Sequence, residues 1–261
     1  MDPLLVTAGA FTGLVVGATG VGGGALMTPI LLLLFGVAPR AAIGTDLWYA
    51  AITKLAAARV HHQHGLVDWP IVFRLWAGSL SASLLTVLWM RTQPMSDAHL
   101  EWMRATIAIA VCVTAVGMLF SGPLRRWGGR LDSARWFGSW QTPLTVVVGI
   151  ALGTLVTLTS VGAGALGAVC LLYLYPRRLT PSTLVATDIA HAIPLALIAG
   201  LGHLTLSNVD GRLLANLLAG SIPAAFIGAR LSARMPHGPL RMLLAIVLFA
   251  VGLLLLVDVL S

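Results

Sequence analysis

Charge is what this chain most lacks. Of its 261 residues only 10% are Asp, Glu, Lys or Arg, and 58% are hydrophobic, whereas a soluble domain is about a quarter charged. Ala105–Phe120, Leu144–Thr157 and Met242–Val257 carry no charged residue at all. That composition leaves no material for a polar shell and excludes a soluble globular protein. With their flanks, several such stretches pass the ~20 residues that cross a bilayer core. Cysteine is nearly absent, and Cys112 and Cys170 both sit in apolar runs, which argues against a disulfide framework and a metal site. The opening MDPLLVTAG lacks the basic region and small-residue cleavage pattern of a signal peptide. The longest polar gap is about 20 residues, so no appended soluble domain is expected.

What charge there is leans positive, at +7. Its placement argues against nucleic acid as a partner. Most arginines fall in short gaps: Arg125, Arg126, Arg130 and Arg135, then Arg177 with Arg178, then Arg230, Arg234 and Arg241. Arginines so placed fix topology through the positive-inside bias. Trp69, Trp89, Trp102, Trp136 and Trp140 border the gaps and read as interface anchors.

The chain contains an internal repeat. At an offset of 142, APRAAIGTDL (Ala38–Leu47) meets TPSTLVATDI (Thr180–Ile189), His61 meets His203, and VDWPIVFRLWAGS (Val67–Ser79) meets VDGRLLANLLAGS (Val209–Ser221). Upstream the offset is 140, and GVGGGAL (Gly20–Leu26) meets SVGAGAL (Ser160–Leu166). Internal repeats of this kind are common in secondary transporters. Three uninterrupted spans are expected in each half, near 43–60, 70–90 and 104–121, then near 184–200, 211–230 and 240–258. Before each set lies a longer segment, 4–35 and 143–175, with a glycine cluster near its middle.

If each long segment crosses once, the repeats are parallel. If each turns back at its glycines, with arms of about 14–18 residues (roughly 21–27 Å as helix), the halves are inverted. In the inverted case nearly all clustered arginines gather on one side, which becomes cytoplasmic. Arg40 and the arginines flanking 91–104 are left outside. The expected fold is therefore an all-α polytopic integral membrane protein of two inverted repeats, each a glycine-broken hairpin segment followed by three transmembrane helices. Residues 1–122 form the first repeat, 123–142 a cytoplasmic basic linker and 143–261 the second repeat. A single discontinuous span in place of each hairpin stays open.

Broken backbone at membrane depth is tolerated where protein or a watery cavity surrounds it. A turn at Thr19–Gly24 and another at Thr159–Gly164 would expose amides, and opposed hairpins can bring their tips together near the midplane. Two helix N-termini facing one cavity favour an anion, and Thr19, Thr159 and Ser160 add hydroxyls. The plainer reading is close helix packing by small residues. A nucleotide loop is disfavoured, because GATGVGGG lacks the Gly-Lys-Ser/Thr ending. The candidate substrate-binding residues are Thr19, Gly20, Gly22, Gly23, Gly24, Thr159, Ser160, Gly162, Gly164, Thr45 and Thr187.

The following helix of each half carries costly ionisable groups: Asp46 and Lys54, then Asp188 and His191. Such groups inside a membrane are functional candidates, here for a proton or charge role. The aspartates also suit helix capping, and His191 suits plain packing. Lys54, the only lysine, is expected either to lend positive potential to an anion path or to pair with Asp46. Arg74 is a further path cation. His61, His62 and His64 form HHQH beside Asp68; a solvated cap is preferred there to a metal site. No metal, no cofactor and no catalytic residue is expected, since the interior offers no Ser-His-Asp set, no paired carboxylates on one helix and no His-rich metal ligation.

The segment Gly13–Ala58, with its shorter echo from Thr159 to Ala199, resembles the TauE/SafE family of sulfite exporter-like membrane permeases. The likeness covers essentially the whole chain, although the second glycine motif lacks a counterpart of Pro29. It implies a secondary transporter that moves sulfite, thiosulfate or sulfonates across the plasma membrane, in bacterial inner-membrane style, by alternating access, with export as the expected direction. The alternatives are proton-coupled import of a sulfonate or small organic anion, and a channel-like anion pathway. The implied partners are a small anion, the lipid bilayer and a coupling proton or sodium ion; homo-oligomerisation stays open.

Overall fold

The structure, a computed structural model, describes residues 2–20, 23–61, 66–93, 97–131, 135–232 and 237–260. Among these every regular element is helical. In the first half these are α1 (Pro3–Thr19), a 3₁₀ turn at Gly23–Ala25, α2 (Met27–Leu33), α3 (Pro39–His61), α4 (Trp69–Thr92) and α5 (Asp97–Leu119). Then come α6 (Ser121–Leu131), α7 (Arg135–Thr159), α8 (Ala165–Leu174), α9 (Pro181–Thr205), α10 (Gly211–Ser232) and α11 (His237–Leu260).

Six of the described helices are long and apolar enough to cross a membrane: α4, α5, α7, α9, α10 and α11. Their outer faces are greasy, with Leu85, Ile150, Ile227, Ile246 and Leu254 exposed. That pattern suits lipid as the solvent. α3 has the length, but Arg40, Asp46, Lys54 and Arg59 lower its hydropathy. It sits inside the bundle, between α9 and α10.

Prolines and acidic caps set the helix starts. Asp2 and Asp68 accept hydrogen bonds from the first-turn amides of Leu4 and Ile71, each with a proline just inside the helix. Thr180 does the same for Thr183 at the head of α9.

The glycine-broken segments turn back on themselves. Gln141 Nε2 donates to the Leu174 carbonyl at 3.0 Å, and Thr145 shares a hydrogen bond with Tyr175 at 2.7 Å. The end of α8 thus lies beside the beginning of α7. In the first half Leu5, near the start of α1, shares an apolar cluster with Leu31 of α2. The tip residues Val15, Ala25 and Leu26 instead pack in the central cluster that holds Val156, Val161 and Ala165.

The second arms are shorter than the expected 14–18 residues: α2 has 7 residues and α8 has 10. Turn residues account for the difference. The 3₁₀ turn takes up Gly23–Ala25, and Gly36, at φ 59°, ends the second arm of the first hairpin with Val37 N donating back to Leu31 O. The stretch expected as a basic linker also contains helix, α6 and the first turns of α7. α6 lies against α8, anchored by Arg125 Nε on Pro176 O and Arg177 on Gly129 O.

The halves pack on each other reciprocally. α1 runs parallel to α10, with Gly9, Gly13 and Gly17 against Leu217, Ser221 and Ala225, and α7 runs along α4 with Gly149 and Gly153 against Leu75 and Ser79. A Cβ on any of these glycines would lie within 2.2–2.6 Å of the opposing backbone. They bring the backbones together as small residues do in membranes. The packing reading of the glycines therefore holds along α1, and the tip glycines behave differently.

Candidate functional site

The central pair, α3 and α9, crosses antiparallel. Trp48 Nε1 donates to Gly200 O at 3.0 Å, while six residues further along α3 Lys54 meets Asp188, toward the start of α9. The two starts are tied into opposite ends of the molecule by matched hydrogen bonds. Thr45 Oγ1 accepts from Asp210 N, and Thr187 Oγ1 accepts from Asp68 N, both at 3.0 Å. Asp68 and Asp210 each stabilise the first turn of the next helix. Each half's threonine thus holds the other half's capping residue. Arg178 clamps the same Asp68 carboxylate at 2.6 and 2.8 Å.

The hairpin tips meet between these helices. A Cβ on Gly24 would stand 1.5 Å from the Ser160 carbonyl oxygen, so only glycine permits the contact. Gly20 and Ser160 occupy matched positions and share a left-handed backbone, φ 67° and 60°. Glycine adopts it freely, and serine does so at a cost. Thr159 Oγ1 accepts from Val161 N at 3.0 Å and pins that turn. Thr19 Oγ1 donates to Val15 O on its own helix. Gly162 and Gly164, at φ 121° and 127°, carry the second turn into α8. Gly23 opens the 3₁₀ turn, and Gly22 lies outside the described residues.

Lys54 reaches into this junction and is 1% exposed. Its Nζ donates to Ala163 O on the second tip at 3.0 Å and stands 3.9 Å from Asp188 Oδ2. Its carboxylate partner therefore comes from the opposite half; the expected pairing with Asp46, two turns away on its own helix, is replaced. Asp46 accepts instead from Thr28 Oγ1 on α2. Its Oδ1 and the Ser160 hydroxyl are both buried without a hydrogen bond of ordinary geometry. Asp188 sits against bare backbone, where a Cβ on Gly167 of α8 would approach its Oδ1 to 2.7 Å. His191 Nε2 pairs with Ser79 of α4 at 2.9 Å.

A cavity of about 10 Å³ lies at the junction, lined by Gly24, Leu47, Ala50, Lys54, Val156, Ser160, Ala163, Ala192 and Ala196. That is room for about one water. Two larger grooves lie elsewhere, one between α3 and α10 beside Arg59 and one beside Trp69 and Trp76. Arg74 is not at the junction: it is partly exposed and donates to Tyr175 at 3.1 Å. His62, Gln63 and His64 lie outside the described residues, as does the side chain of His61. Its repeat counterpart His203 is buried, with Nε2 on Thr157 O at 2.9 Å.

The profile of the family described as "Sulfite exporter TauE/SafE" matches residues 5–255, from the first turns of α1 into the last turns of α11. The chain belongs to the sulfite exporter TauE/SafE family. Among its relatives, the probable membrane transporter protein YjnA of Bacillus subtilis (strain 168) is 35% identical over 257 residues, covering 97% of this chain and 99% of the relative. The probable membrane transporter protein YdhB of the same organism is 27% identical over 249 residues, covering 94% and 96%. No solved structure matches. This TauE/SafE protein is accordingly a multi-pass plasma-membrane transporter.

Several residues that shape the junction of this TauE/SafE protein escaped sequence reasoning. Thr28 pairs with Asp46, but its repeat counterpart is Ala168, so the duplication gave no signal. Tyr49 is fully buried and bonds Thr12 on α1. Its counterpart is His191, a residue of different chemistry. Ser79 and Ser221 were visible as the closing serines of the matched Ala-Gly-Ser motifs. Ser79 bonds His191, and Ser221 bonds Thr53 on α3.

Proposed function

We propose that this transporter carries small sulfur-containing anions (sulfite, thiosulfate or sulfonates) by alternating access, with the anion held where the hairpin tips meet Lys54. The observation that carries this reading is the position of the chain's only lysine, fully buried and bonded to a hairpin tip. A buried ammonium persists only with compensating partners, and an anion is its natural ligand. α8 directs its N-terminus toward the same junction, and the Ser160 hydroxyl adds a donor.

The family description supports a sulfur oxyanion as cargo. The ~10 Å³ cavity is too small for one, and such tightness corresponds to an occluded state. Opening to either side would separate α3 from α9, with the Thr45–Asp210 and Thr187–Asp68 bonds keeping each end in register. Thr19, Gly20, Gly23, Gly24, Thr159, Gly162 and Gly164 shape the two turns. Thr45 and Thr187 act through these ties. A closed junction fits a gated carrier better than an open channel. Inverted repeats, with the arginine-rich ends cytoplasmic, agree with the antiparallel crossing of α3 and α9.

The test is saturable uptake of labelled sulfite, thiosulfate and a small sulfonate into proteoliposomes. Saturable flux of at least one is expected, and flux of none would overturn the substrate assignment.

A further inference from the structure

The junction holds two carboxylates and one cation, and that imbalance has a consequence for transport. With Lys54, Asp46 and Asp188 all ionised, the core carries one net negative charge. It is walled by Ala50, Val156, Ala163, Ala192 and Ala196, where uncompensated charge is expensive. Adding a monoanion to that arrangement would double the excess. Asp188 also occupies the position beside Lys54 Nζ that an incoming anion needs.

We infer that the anion and a proton exchange places at this pair: Asp188 takes up one proton and releases Lys54, and the substrate anion replaces the carboxylate at the ammonium. With a monoanion the loaded core then carries the same net charge as the empty one. A sulfonate monoanion moves as an electroneutral symport with one proton, and a dianion such as thiosulfate moves with one proton and one net negative charge. No covalent bond changes except the O–H bond made at Asp188 on one side of the membrane and broken on the other. The inference rests on the anion-transport reading above and adds its coupling ion and the residue that carries it.

Most other polar groups around Asp188 have a partner elsewhere, although Asp46 Oδ1 and His191 Nδ1 carry no hydrogen bond. α9 packs on α3, α4, α7 and α8. Besides Lys54, α3 brings Asp46, hydrogen-bonded to Thr28, Arg40 in its first turn at the far end of the helix, and the exposed Arg59. α4 brings Asp68, held by Arg178, and Arg74, held by Tyr175. From Phe137 onward α7 has no charged residue, and α8 offers only the Cys170 thiol and the Tyr173 phenol. On α9 itself, His191 bonds Ser79 and His203 bonds Thr157 O. Asp188 is the carboxylate that directly faces the cation. Its approach to α8 depends on the missing side chain of Gly167.

The experiment uses the full chain in proteoliposomes with an internal pH dye, and labelled thiosulfate and a small sulfonate as probes. Both are anions of strong acids and bring no proton of their own. Wild type should move about one proton per anion, with uptake stimulated by an inward proton gradient; sulfonate uptake should be unaffected by membrane potential, and thiosulfate uptake should carry one net negative charge. Asp188→Asn should lose both proton movement and gradient stimulation, and Asp188→Glu should restore them. Lys54→Met should weaken the apparent affinity by at least ~100-fold. Wild-type anion flux without protons, or Asp188→Asn with wild-type coupling, overturns this inference and leaves anion transport standing. Absence of flux for both probes and for sulfite contradicts the transport reading and this inference together. The wild-type stoichiometry decides the matter even if a variant fails to fold.

Discussion

Lys54 and Asp188 stand 3.9 Å apart on helices from opposite halves of the chain, and both are almost completely buried. Contact between them is possible only because α3 and α9 run antiparallel, so that the second turn of one lies against the middle of the other. The pair therefore joins the two repeats at the point where their hairpin tips also touch.

Removing one member of a buried pair leaves the other charge uncompensated, at a cost of about 3–5 kcal/mol, whereas replacing both with apolar residues is often neutral. Lys54→Met should accordingly lower stability in detergent by about that amount. The double variant Lys54→Met/Asp188→Leu should recover most of it while remaining inactive. Chemical denaturation of the purified variants reads the first effect, and flux reads the second. If the double variant is no more stable than the single one, the two side chains are not coupled.

Gly24→Ala places a Cβ on the Ser160 carbonyl and should abolish flux, with a stability loss of about 1–3 kcal/mol from overpacking. Gly138→Ala is the control: it lies in helix α7 with nothing within 4 Å of its added Cβ. It should leave flux intact and stability unchanged or raised by up to ~1 kcal/mol. Equal behaviour of the two variants would mean that the tips need not touch.

The interhelical serine contacts should matter much less than the charge pair. Ser79→Ala removes the partner of His191, and Ser221→Ala removes that of Thr53. Hydrogen bonds between membrane helices average about 0.6 kcal/mol, so each variant should fold and move the denaturation midpoint only slightly. A loss comparable to that of Lys54→Met would make these hydroxyls structural keystones.

The tip glycines and the Thr-Asp pairs could be found from sequence because duplication marks them. Lys54, Asp188 and His191 stood out as ionisable groups in apolar helices, but their pairing did not, because the junction is asymmetric. Lys54 corresponds to Ala196, Thr28 to Ala168 and Tyr49 to His191, so self-comparison passes over all of them. Pairing Lys54 with Asp46 followed from helical spacing, which describes only neighbours on one helix. The true partner depends on how the two halves cross. The lengths of α2 and α8 were overestimated because a glycine run shows that a turn exists without showing how many residues it takes up.

Topology makes a separate prediction. Single cysteines at Ala38, Thr92 and Arg177, all exposed at helix ends, should label from outside, outside and inside respectively, in a background with Cys112 and Cys170 replaced. Labelling of position 177 from outside would contradict the inverted orientation.

The central claim is that the anion sits at the meeting of the tips, and substrate protection tests it most directly. Ser160→Cys, in the same cysteine-free background, would be exposed to a small maleimide with and without the sulfonate selected by the flux assays. Saturating sulfonate should slow modification at least ~10-fold, with a half-effect concentration matching that for transport, because ligand and reagent compete for one enclosed space. Modification at the same rate with and without a sulfonate that the protein demonstrably transports would place the site elsewhere.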